Sequence, residues 1–236
     1  MEMAQNTHPL KGQKMTGAEM IVQILADQGV DVIFGYSGGA ILPTYDAVFR
    51  YNAENTDENG VEPMPLIVPA NEQGAGFMGA GYARASGKVG AVLVTSGPGA
   101  TNTVTPVRDC MADSTPIVVI CGQVPTAAIG TDAFQEAPVN SCLGPVAKHT
   151  FLVTDPKKLE STVRTAFEIA RTGRPGPVVI DLPKDVQNWQ GEFQGEGLLP
   201  VPGYRQRLHA ARHNLLDDRK LARFYGMLDA SKRPLI

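Results

Sequence analysis

The chain has 236 residues, of which 43% are hydrophobic and 19% are charged, and its formal net charge is −3 at pH 7. These values are typical of an ordinary globular protein with one large or two small domains. Because the sequence has no basic run and no apolar run of about 18 residues, we exclude a nucleic-acid-binding protein and a membrane-spanning one.

The cysteines and the first residues indicate the compartment. The three cysteines, Cys110, Cys121 and Cys142, do not have the spacing of metal ligands. Cys121 ends an apolar run and is predicted to be a buried thiol, so a reducing cytoplasm is the simplest compartment. Residues 1–14 are polar and lack the apolar core of a signal peptide, and we predict that they form a short flexible tail.

Hydrophobic periodicity divides the chain into helices and strands that alternate. The first helix is marked by a capping box, in which Thr16 precedes Glu19 by three positions. The apolar run at 89–95 is typical of a strand that is buried on both faces. In chain order the pattern predicts a helix at 16–28, a strand at 30–35, a helix at 41–51, a strand at 66–68, a helix at 72–83, a strand at 89–95, a turn at 96–102 that leads into a helix ending near 112, strands at 117–121 and 148–153, a helix at 155–171 and a strand at 178–182.

This alternation predicts an α/β fold with a doubly wound, mostly parallel sheet, which we place at residues 15–186. Residues 187–207 change to glycine, glutamine, glutamate and proline and are predicted to be a linker. Residues 208–236 contain a helical pattern that ends in the run 233–236, which resembles the start of a strand. Since a domain does not normally end on an opening strand, we expect the sequence to be the N-terminal part of a longer chain with a second α/β domain.

The stretch 66–78 carries the first candidate for function. A short strand ends at Pro69 and turns directly into a helix that Asn71 caps. The helix is rich in glycine, which is poor helix material, so we expect a neighbouring element, a second subunit or a cofactor to approach it closely. Glu72 follows the strand end, where open parallel sheets bind their ligands. From chemistry alone, Glu72 is either a catalytic carboxylate or an exposed residue that the helix dipole stabilises.

Glycine-rich turns follow two other strands. The turn 96–100 offers backbone N–H groups to a phosphate, or else needs glycine only for its backbone angles. The turn 36–40 has the same two interpretations. Arg174, held between glycine and proline, is either a fixed anion-binding arginine or a solvated loop residue. Because parallel strands end at one edge of the sheet, the strand ends together predict a binding site there, beside a functional loop at 126–145.

Seven motifs occur in a fixed order, at residues 35–43, 71–76, 81–87, 95–102, 122–125, 130–136 and 173–178. In this order they resemble the N-terminal part of the acetolactate synthase (acetohydroxyacid synthase) catalytic subunits, which are thiamine diphosphate-dependent enzymes. The sequences Glu-Gln-Gly-Ala and Ser-Gly-Pro-Gly are shared by many thiamine enzymes, whereas the run 130–136 is typical of acetolactate synthases. The resemblance extends over about residues 15–236.

The resemblance implies three domains: a pyrimidine-binding domain, a central domain that helps to bind FAD, and a C-terminal domain that binds the diphosphate and Mg²⁺. It implies that pyruvate condenses with a second 2-keto acid, pyruvate or 2-ketobutyrate, with loss of CO₂ in the biosynthesis of isoleucine and valine. It also implies a homo-oligomer, a dimer or larger, with thiamine diphosphate at the subunit interface, and a regulatory small subunit as a further partner.

The same resemblance assigns roles to single residues. Glu72 would hydrogen-bond N1′ of the aminopyrimidine ring and so act as the catalytic carboxylate. Ser37 and Asn71 stand where the family usually has proline and histidine. The residues implied in cofactor binding are Glu72, Tyr36, Gly38, Gly39, Ala40, Ser96, Gly97 and Asn102, with Arg174 toward FAD. The residues implied in the substrate channel are Phe134, Gln135 and Lys184.

Two other functions stay open at the level of the sequence. One is a different thiamine enzyme that acts on 2-keto acids, such as an oxidase or a carboligase. The other is a non-catalytic pyrimidine-binding module that pairs with a partner chain. We expect residues 1–236 by themselves to be inactive, because the diphosphate-binding domain that the resemblance implies is not among them.

Overall fold

The computed structural model of the protein describes residues 7–213 and 217–234, and it divides into two compact units, one ending at Leu199 and one beginning at Pro200. All of the described strands belong to the first unit. They are β1 (Lys14–Thr16), β2 (Ile33–Tyr36), β3 (Leu66–Ile67), β4 (Gly90–Val94), β5 (Ile117–Gln123), β6 (His149–Leu152), β7 (Val178–Pro183) and β8 (Gln190–Glu192).

Strands β2 to β7 form one sheet in the order β3-β2-β4-β5-β7-β6, and each neighbouring pair is parallel. Every residue of β4 and β5 is buried, because helices cover both faces of the sheet. The predicted fold class, a doubly wound parallel α/β sheet, is therefore confirmed. The described helices are α1 (Gly17–Asp27), α2 (Leu42–Asn55), α3 (Glu72–Ser86), α4 (Pro98–Thr101), α5 (Val104–Ala112), α6 (Val139–Leu143), α7 (Leu159–Arg171), α8 (Lys184–Asn188), α9 (Tyr204–His213) and α10 (Asp218–Ala230), with 3₁₀ turns at Thr126–Ala128 and Pro156–Lys158.

The helices form two layers around this sheet. Helices α3, α5 and α6 share one buried apolar cluster with β4, β5 and β7, in which Val92, Val119 and Val179 point from the strands toward the helices. Helix α1 packs on α2, α7 and α8 in the other layer. No helix in residues 7–213 and 217–234 combines the length and the apolar character that crossing a bilayer requires.

Helix ends follow the local sequence signals. Thr16 accepts a hydrogen bond from the Glu19 backbone N–H, and the Glu19 carboxylate accepts one from the Thr16 N–H, so the predicted capping box is present. Asn71 Oδ1 accepts a hydrogen bond from the Gly74 N–H at 2.8 Å, as predicted for the N-cap of α3. Each cap satisfies backbone donors that a helix leaves unpaired at its start.

The glycines of α3 permit close packing inside the first unit. A Cβ atom added at Gly76 would lie 2.4 Å from Pro106 Cγ of α5, and one at Gly79 would lie 2.7 Å from a Val92 methyl of β4. The opposite side of α3 is open, because Phe77 and Met78 are 41% and 38% exposed. A neighbouring element thus accounts for two of the glycines, whereas the other side of α3 exposes apolar side chains.

The predicted helix ending near 112 is α5, and the turn predicted before it at 96–102 contains a short helix, α4, that the sequence did not reveal. Thr103, which is fully buried between them, donates its hydroxyl to the Ala100 carbonyl at 2.6 Å. The break between the two helices frees the Asn102 side chain for a contact with another element, described below. A contact of this kind depends on the tertiary fold, and the helical pattern of the sequence does not reveal it.

The first unit also includes part of the predicted linker. Strand β8 lies within 187–207 and pairs antiparallel with β1. Phe193 is fully buried, and Glu160 of α7 accepts hydrogen bonds from the backbone N–H groups of Gln194 and Gly195. The structure therefore extends this unit to Leu199, beyond the predicted boundary at 186. A three-residue strand followed by one buried aromatic residue is too short to produce a periodic signal.

The predicted tail and the second unit are described in part. Within the tail, His8 Nε2 lies 3.1 Å from Asp27 Oδ1 of α1, and residues 1–6 lie outside the described residues. In the second unit, α9 begins inside the predicted linker and α10 is capped by Asp217. The strand predicted at 233–236 includes Leu235 and Ile236, which also lie outside the described residues.

Candidate functional site

The site lies where the parallel strands end. The chain leaves β2 toward β3 on one side and leaves β4 toward β5 on the other, so a crevice opens between the ends of β2 and β4. Open α/β sheets bind ligands at such a topological switch point. The turn after β2, the turn after β4 and the start of α3 after β3 all border this crevice, which is where the sequence predicted a site.

Glu72 is buried at the edge of this crevice. Only 8% of the residue is exposed, although it begins a helix, and its Oε2 atom accepts a hydrogen bond from Asn102 Nδ2 at 2.9 Å. Within the described residues, Oε1 has no hydrogen-bond partner. Burial excludes the interpretation of Glu72 as an exposed helix-start residue. One carboxylate oxygen is therefore held by Asn102, while the other is free of protein partners among the described residues.

Tyr45 of α2 lies close enough to Glu72 to interact electrostatically with its carboxylate. Burial, and then the neighbouring Glu72 carboxylate, raise the pKa of the Tyr45 hydroxyl. The hydroxyl stays protonated and donates a hydrogen bond to the Leu93 carbonyl oxygen at 3.2 Å. Tyr45 was not predicted as a site residue, because nothing in its local sequence distinguishes it from a core residue of an amphipathic helix.

Thr95 joins the two glycine-rich turns. A Cβ atom added at Gly38 would lie 2.6 Å from the Thr95 side chain, and one at Gly99 would lie 2.7 Å from Thr95 Cγ2. The Ala40 backbone N–H also donates to Thr95 Oγ1 at 3.4 Å. Both turns thus need glycine where they approach each other. Gly39 differs, since a Cβ atom there would meet no atom within 4 Å.

A hydrogen bond from Gln187 of α8 supports the turn after β2. Gln187, which is fully buried, donates a hydrogen bond from Nε2 to the Ala40 carbonyl oxygen at 2.7 Å and accepts one at Oε1 from the Thr44 hydroxyl at 2.9 Å. Tyr36 begins this turn and is 37% exposed. The predicted cofactor residue Ala40 is therefore supported by a buried side chain that the sequence did not reveal.

The turn after β4 meets the loop that follows β5. Ser96 is buried, and Gly97 adopts a left-handed φ of 56°, where a Cβ atom would lie 2.5 Å from the Gln135 carbonyl oxygen. Gln135 itself has a φ of 57°, an uncommon value for a residue with a side chain. Phe134 is 87% exposed. The structure thus brings the predicted channel residue Gln135 against the predicted cofactor turn.

Glu136 shapes this loop from within. Its carboxylate accepts hydrogen bonds from the Gly130 N–H and from the Ala133 N–H, the latter at 3.1 Å. The hydrogen bond from Gly130, followed by those from its neighbours, lowers the pKa of Glu136. An ionised Glu136 therefore closes the run 130–136 into a fixed conformation.

Lys184, the third predicted channel residue, lies elsewhere on the same edge. It begins α8 and lines a cavity of about 420 Å³ between α1, α2 and α8. Asp46 and Arg50 of α2 line the same cavity and pair with each other at 2.6 Å. Phe134 and Gln135 are not among the lining residues, so this cavity does not bring the three predicted channel residues together.

Arg174 lies at the opposite edge of the sheet, before β7. Its Nε donates to the Ser114 hydroxyl at 2.8 Å, and its Nη2 donates to the carbonyl oxygens of Met111 and Ala112 at 2.9 and 2.8 Å. These carbonyls end α5, so Arg174 caps that helix. Arg174 is therefore fixed, not freely solvated, and its predicted contact with FAD stays a prediction.

The chain was then compared with known proteins. The family model described as "Thiamine pyrophosphate enzyme, N-terminal TPP binding domain" matches residues 15–142. The chain is 54% identical over 171 residues to the "Acetolactate synthase catalytic subunit, mitochondrial" of Aspergillus candidus, covering 72% of this chain and 23% of that protein. It is 45% identical over 193 residues to the acetolactate synthase large subunit of Corynebacterium glutamicum, covering 82% and 29%.

A third relative, the acetolactate synthase large subunit of Lactococcus lactis, is 41% identical over 228 residues, covering 96% of this chain and 37% of that protein. The chain thus spans from about a quarter to less than two fifths of the length of these relatives. The family match covers more than half of the chain and includes Glu72, Asn102 and both glycine-rich turns. The chain therefore belongs to the thiamine pyrophosphate enzymes, of which it holds the N-terminal cofactor-binding domain.

Proposed function

We propose that the chain is the part of an acetolactate synthase catalytic subunit that binds the aminopyrimidine end of thiamine diphosphate. The whole protein would condense pyruvate with pyruvate or 2-ketobutyrate, with loss of CO₂, in the biosynthesis of isoleucine and valine. Support comes from relatives of that name at 41% to 54% identity and from the geometry around Glu72.

The buried carboxylate of Glu72 is the observation that carries this proposal. Asn102 holds Oε2, and Oε1 lies 3.4 Å from the position that a Cβ atom at Gly99 would occupy. Oε1 therefore borders a space that only a glycine leaves open. These residues fit an aminopyrimidine ring, with Glu72 Oε1 as the hydrogen-bond partner of N1′ and the backbone of the two glycine turns beside the ring.

Thiamine diphosphate, when bound, supplies an electron sink for the decarboxylation of a 2-keto acid. The residues of this chain orient and protect it. Glu72 would hold a proton between Oε1 and N1′, and Asn102 would keep that carboxylate from rotating. Because Glu72 and Tyr45 are buried, the site has a low local polarity, in which a shared proton and a hydrogen bond are stronger than in water.

We also propose that FAD and Mg²⁺ serve the whole protein. In residues 7–213 and 217–234, no group of three histidine, cysteine, aspartate or glutamate side chains is arranged to hold a metal ion, so the Mg²⁺ ligands would come from other residues. Arg174 uses Nη2 to cap α5 and Nε to bind the Ser114 hydroxyl, which leaves Nη1 for the proposed contact with FAD.

A homo-oligomer, a dimer or larger, is proposed on the exposed apolar side of α3 and β3. Phe77 and Met78 lie one turn after Glu72 and are 41% and 38% exposed, and Ile67 and Val68 are 40% and 55% exposed. A second copy that covers these side chains would close the cofactor site at the interface. A regulatory small subunit and a cytoplasmic location are further proposals, the latter supported by the free thiols of Cys110, Cys121 and Cys142.

Glu72→Gln tests the proposed function when it is introduced into the whole protein, of which this chain would be the N-terminal part. With thiamine diphosphate, Mg²⁺, FAD and pyruvate supplied, we expect acetolactate formation to fall by at least about a hundredfold, because glutamine cannot share a proton with N1′. Acetolactate is measured directly, and circular dichroism checks the fold. Glu54→Gln, at an exposed position near the end of α2, serves as the control and should keep wild-type activity.

Different results point to different conclusions. Near-normal acetolactate formation by Glu72→Gln at saturating thiamine diphosphate contradicts the role of Glu72. Acetate with hydrogen peroxide as the wild-type product would indicate an oxidase, and another coupled product would indicate a different carboligase. Binding of thiamine diphosphate without any turnover of 2-keto acids would favour a non-catalytic module that needs a partner chain.

A further inference from the structure

A buried aspartate lies beneath the loop that carries Gln135. Asp181 of β7 is 3% exposed, and its Oδ2 accepts a hydrogen bond from Gln123 Nε2 at 3.2 Å. Its other oxygen, Oδ1, is buried and has no hydrogen-bond partner among the described residues. An ionised carboxylate in this position would have a single neutral donor and no cation, which is costly in a low-polarity interior.

Gln123 connects Asp181 to the loop. It ends β5, and besides the bond to Asp181 its Nε2 donates to the Ala137 carbonyl oxygen at 3.0 Å, while its Oε1 accepts from the Val124 N–H at 2.9 Å. The amide thus ties both ends of the segment 124–137 together. Gln135, two residues before Ala137, contacts Gly97 in the turn after β4.

We infer that Asp181, in its neutral form, and Gln123 are positioning residues that seat the loop 124–138 against the cofactor turn. When Asp181 is neutral, it accepts from Gln123 without a buried charge, and Gln123 keeps the geometry that holds Ala137. When Asp181 ionises, its charge draws the Gln123 amide and water toward the carboxylate, and the hydrogen bond from Gln123 Nε2 to the Ala137 carbonyl oxygen is lost. Any consequence for 2-keto acids rests on the proposed function, whereas the loop motion does not.

The protonation of Asp181 changes in the neutral range of pH. Burial, and then the negative charge of Glu136, raise its pKa from an ordinary 3.8 to about 7, against the hydrogen bond from Gln123, which lowers it. Cys121, opposite Asp181 on β5, does not add a charge, because burial raises the pKa of its thiol well above 9.0. The loop is therefore expected to be seated at acidic pH and released as the pH rises through about 7.

Asp181→Asn tests this inference by hydrogen exchange of the backbone amides, because asparagine can accept from Gln123 and stays neutral at every pH. In the wild-type protein, we expect protection factors in the segment 126–138, corrected for the intrinsic pH dependence of exchange, to fall about tenfold between roughly pH 6 and pH 8. Asp181→Asn should keep high protection at both values. Asp132→Asn, at an exposed aspartate in the same loop, should behave like the wild type.

Three outcomes overturn the inference: wild-type protection that does not change with pH, an equal change in Asp181→Asn, or no change in Asp132→Asn. If Asp181→Asn does not fold, Gln123→Met gives the second test. It removes the link to Ala137 at similar volume, so protection of the segment should be low at both pH values, and a protected loop would refute the link. These measurements need no turnover, so a failure of the proposed function is seen separately.

A kinetic measurement extends the test if the protein turns over 2-keto acids. The wild-type KM for pyruvate should rise between about pH 6 and pH 8, and Asp181→Asn should keep the low value at the higher pH. A purely structural role would lower the yield of folded protein without moving this pH profile. An unchanged wild-type KM, with a loop that opens as expected, would limit the role of Asp181 to the loop and contradict a role in substrate binding.

Discussion

Thr95 is the residue on which the geometry of the cofactor turns depends. Its side chain fills the space between Gly38 and Gly99, and its hydroxyl accepts from the Ala40 N–H. Both turns approach it so closely that a single added methyl group has no room. The requirement for glycine at these positions is therefore steric, and it can be measured apart from catalysis.

Gly99→Ala should destabilise the protein by about 1–3 kcal/mol, because the added Cβ would lie 2.7 Å from Thr95 Cγ2 and 3.4 Å from Glu72 Oε1. Urea denaturation measures the change. Gly39→Ala is the matched control, since a Cβ atom there meets no atom within 4 Å, and its effect should stay within about 0.5 kcal/mol. Adding Thr95→Ser, which removes Cγ2, should recover part of the loss in Gly99→Ala. Equal stability of the two alanine variants would contradict this account.

A site residue can be predicted from the sequence when the residues that form its contacts lie close to it along the chain. Asn71 and Glu72 were predicted because a strand end, a cap and a carboxylate stand next to one another. Gln187 was missed, since it supports Ala40 across a separation of 147 residues and has no local pattern. Resemblance to a family placed Asn102 near the cofactor, and only the structure showed that it fixes Glu72.

Helix α3 shows at the scale of elements how one helix serves two surfaces. Gly76 and Gly79 face α5 and β4 so closely that no side chain fits, whereas Gly81 faces open space. Glycine costs helix stability at all of these positions. The cost is offset by close packing at Gly76 and Gly79, and Gly81 has no such compensation within this chain.

Gly76→Ala and Gly81→Ala should therefore have opposite signs. The first places a Cβ atom 2.4 Å from a ring carbon of Pro106 and should destabilise the protein by about 1–3 kcal/mol. The second gains helix propensity without a clash and should stabilise it by about 0.5–1 kcal/mol. Urea denaturation measures both changes in stability, at a protein concentration low enough for the protein to be monomeric. A gain of stability in Gly76→Ala would show that α3 and α5 can move apart at little cost.

The order of helices and strands was predictable because the signals are strong and local. Apolar runs such as 117–121 are typical of strands buried on both faces, and the caps at Thr16 and Asn71 mark helix starts. The short helix α4 within the turn predicted at 96–102 was missed, because the conformation there serves a contact from Asn102 to Glu72. The element pattern predicts a parallel sheet, while breaks that depend on a tertiary contact need the fold itself.

For the molecule as a whole, the boundary of the first unit was the part that the sequence did not reveal. The pattern of apolar residues stops at 186, yet β8 pairs with β1 and Phe193, which follows β8, is fully buried. Glu160 of α7 holds the following backbone through two N–H groups. Residues 189–199, which follow α8, therefore belong to the sheet domain. We call this segment the closing strap.

Removing the closing strap should destabilise the sheet domain. We compare a chain that ends at Leu199 with one that ends at Asn188, both measured by urea denaturation. The shorter chain loses the β1–β8 pairing and the buried ring of Phe193, which lies against His8 with ring centroids 5.1 Å apart. Since burial of a phenylalanine ring alone contributes about 3–5 kcal/mol, we expect a loss of at least that size, and Phe193→Ala in the longer chain should reproduce most of it. Equal urea midpoints of unfolding for the two chains would show that residues 189–199 are only a linker.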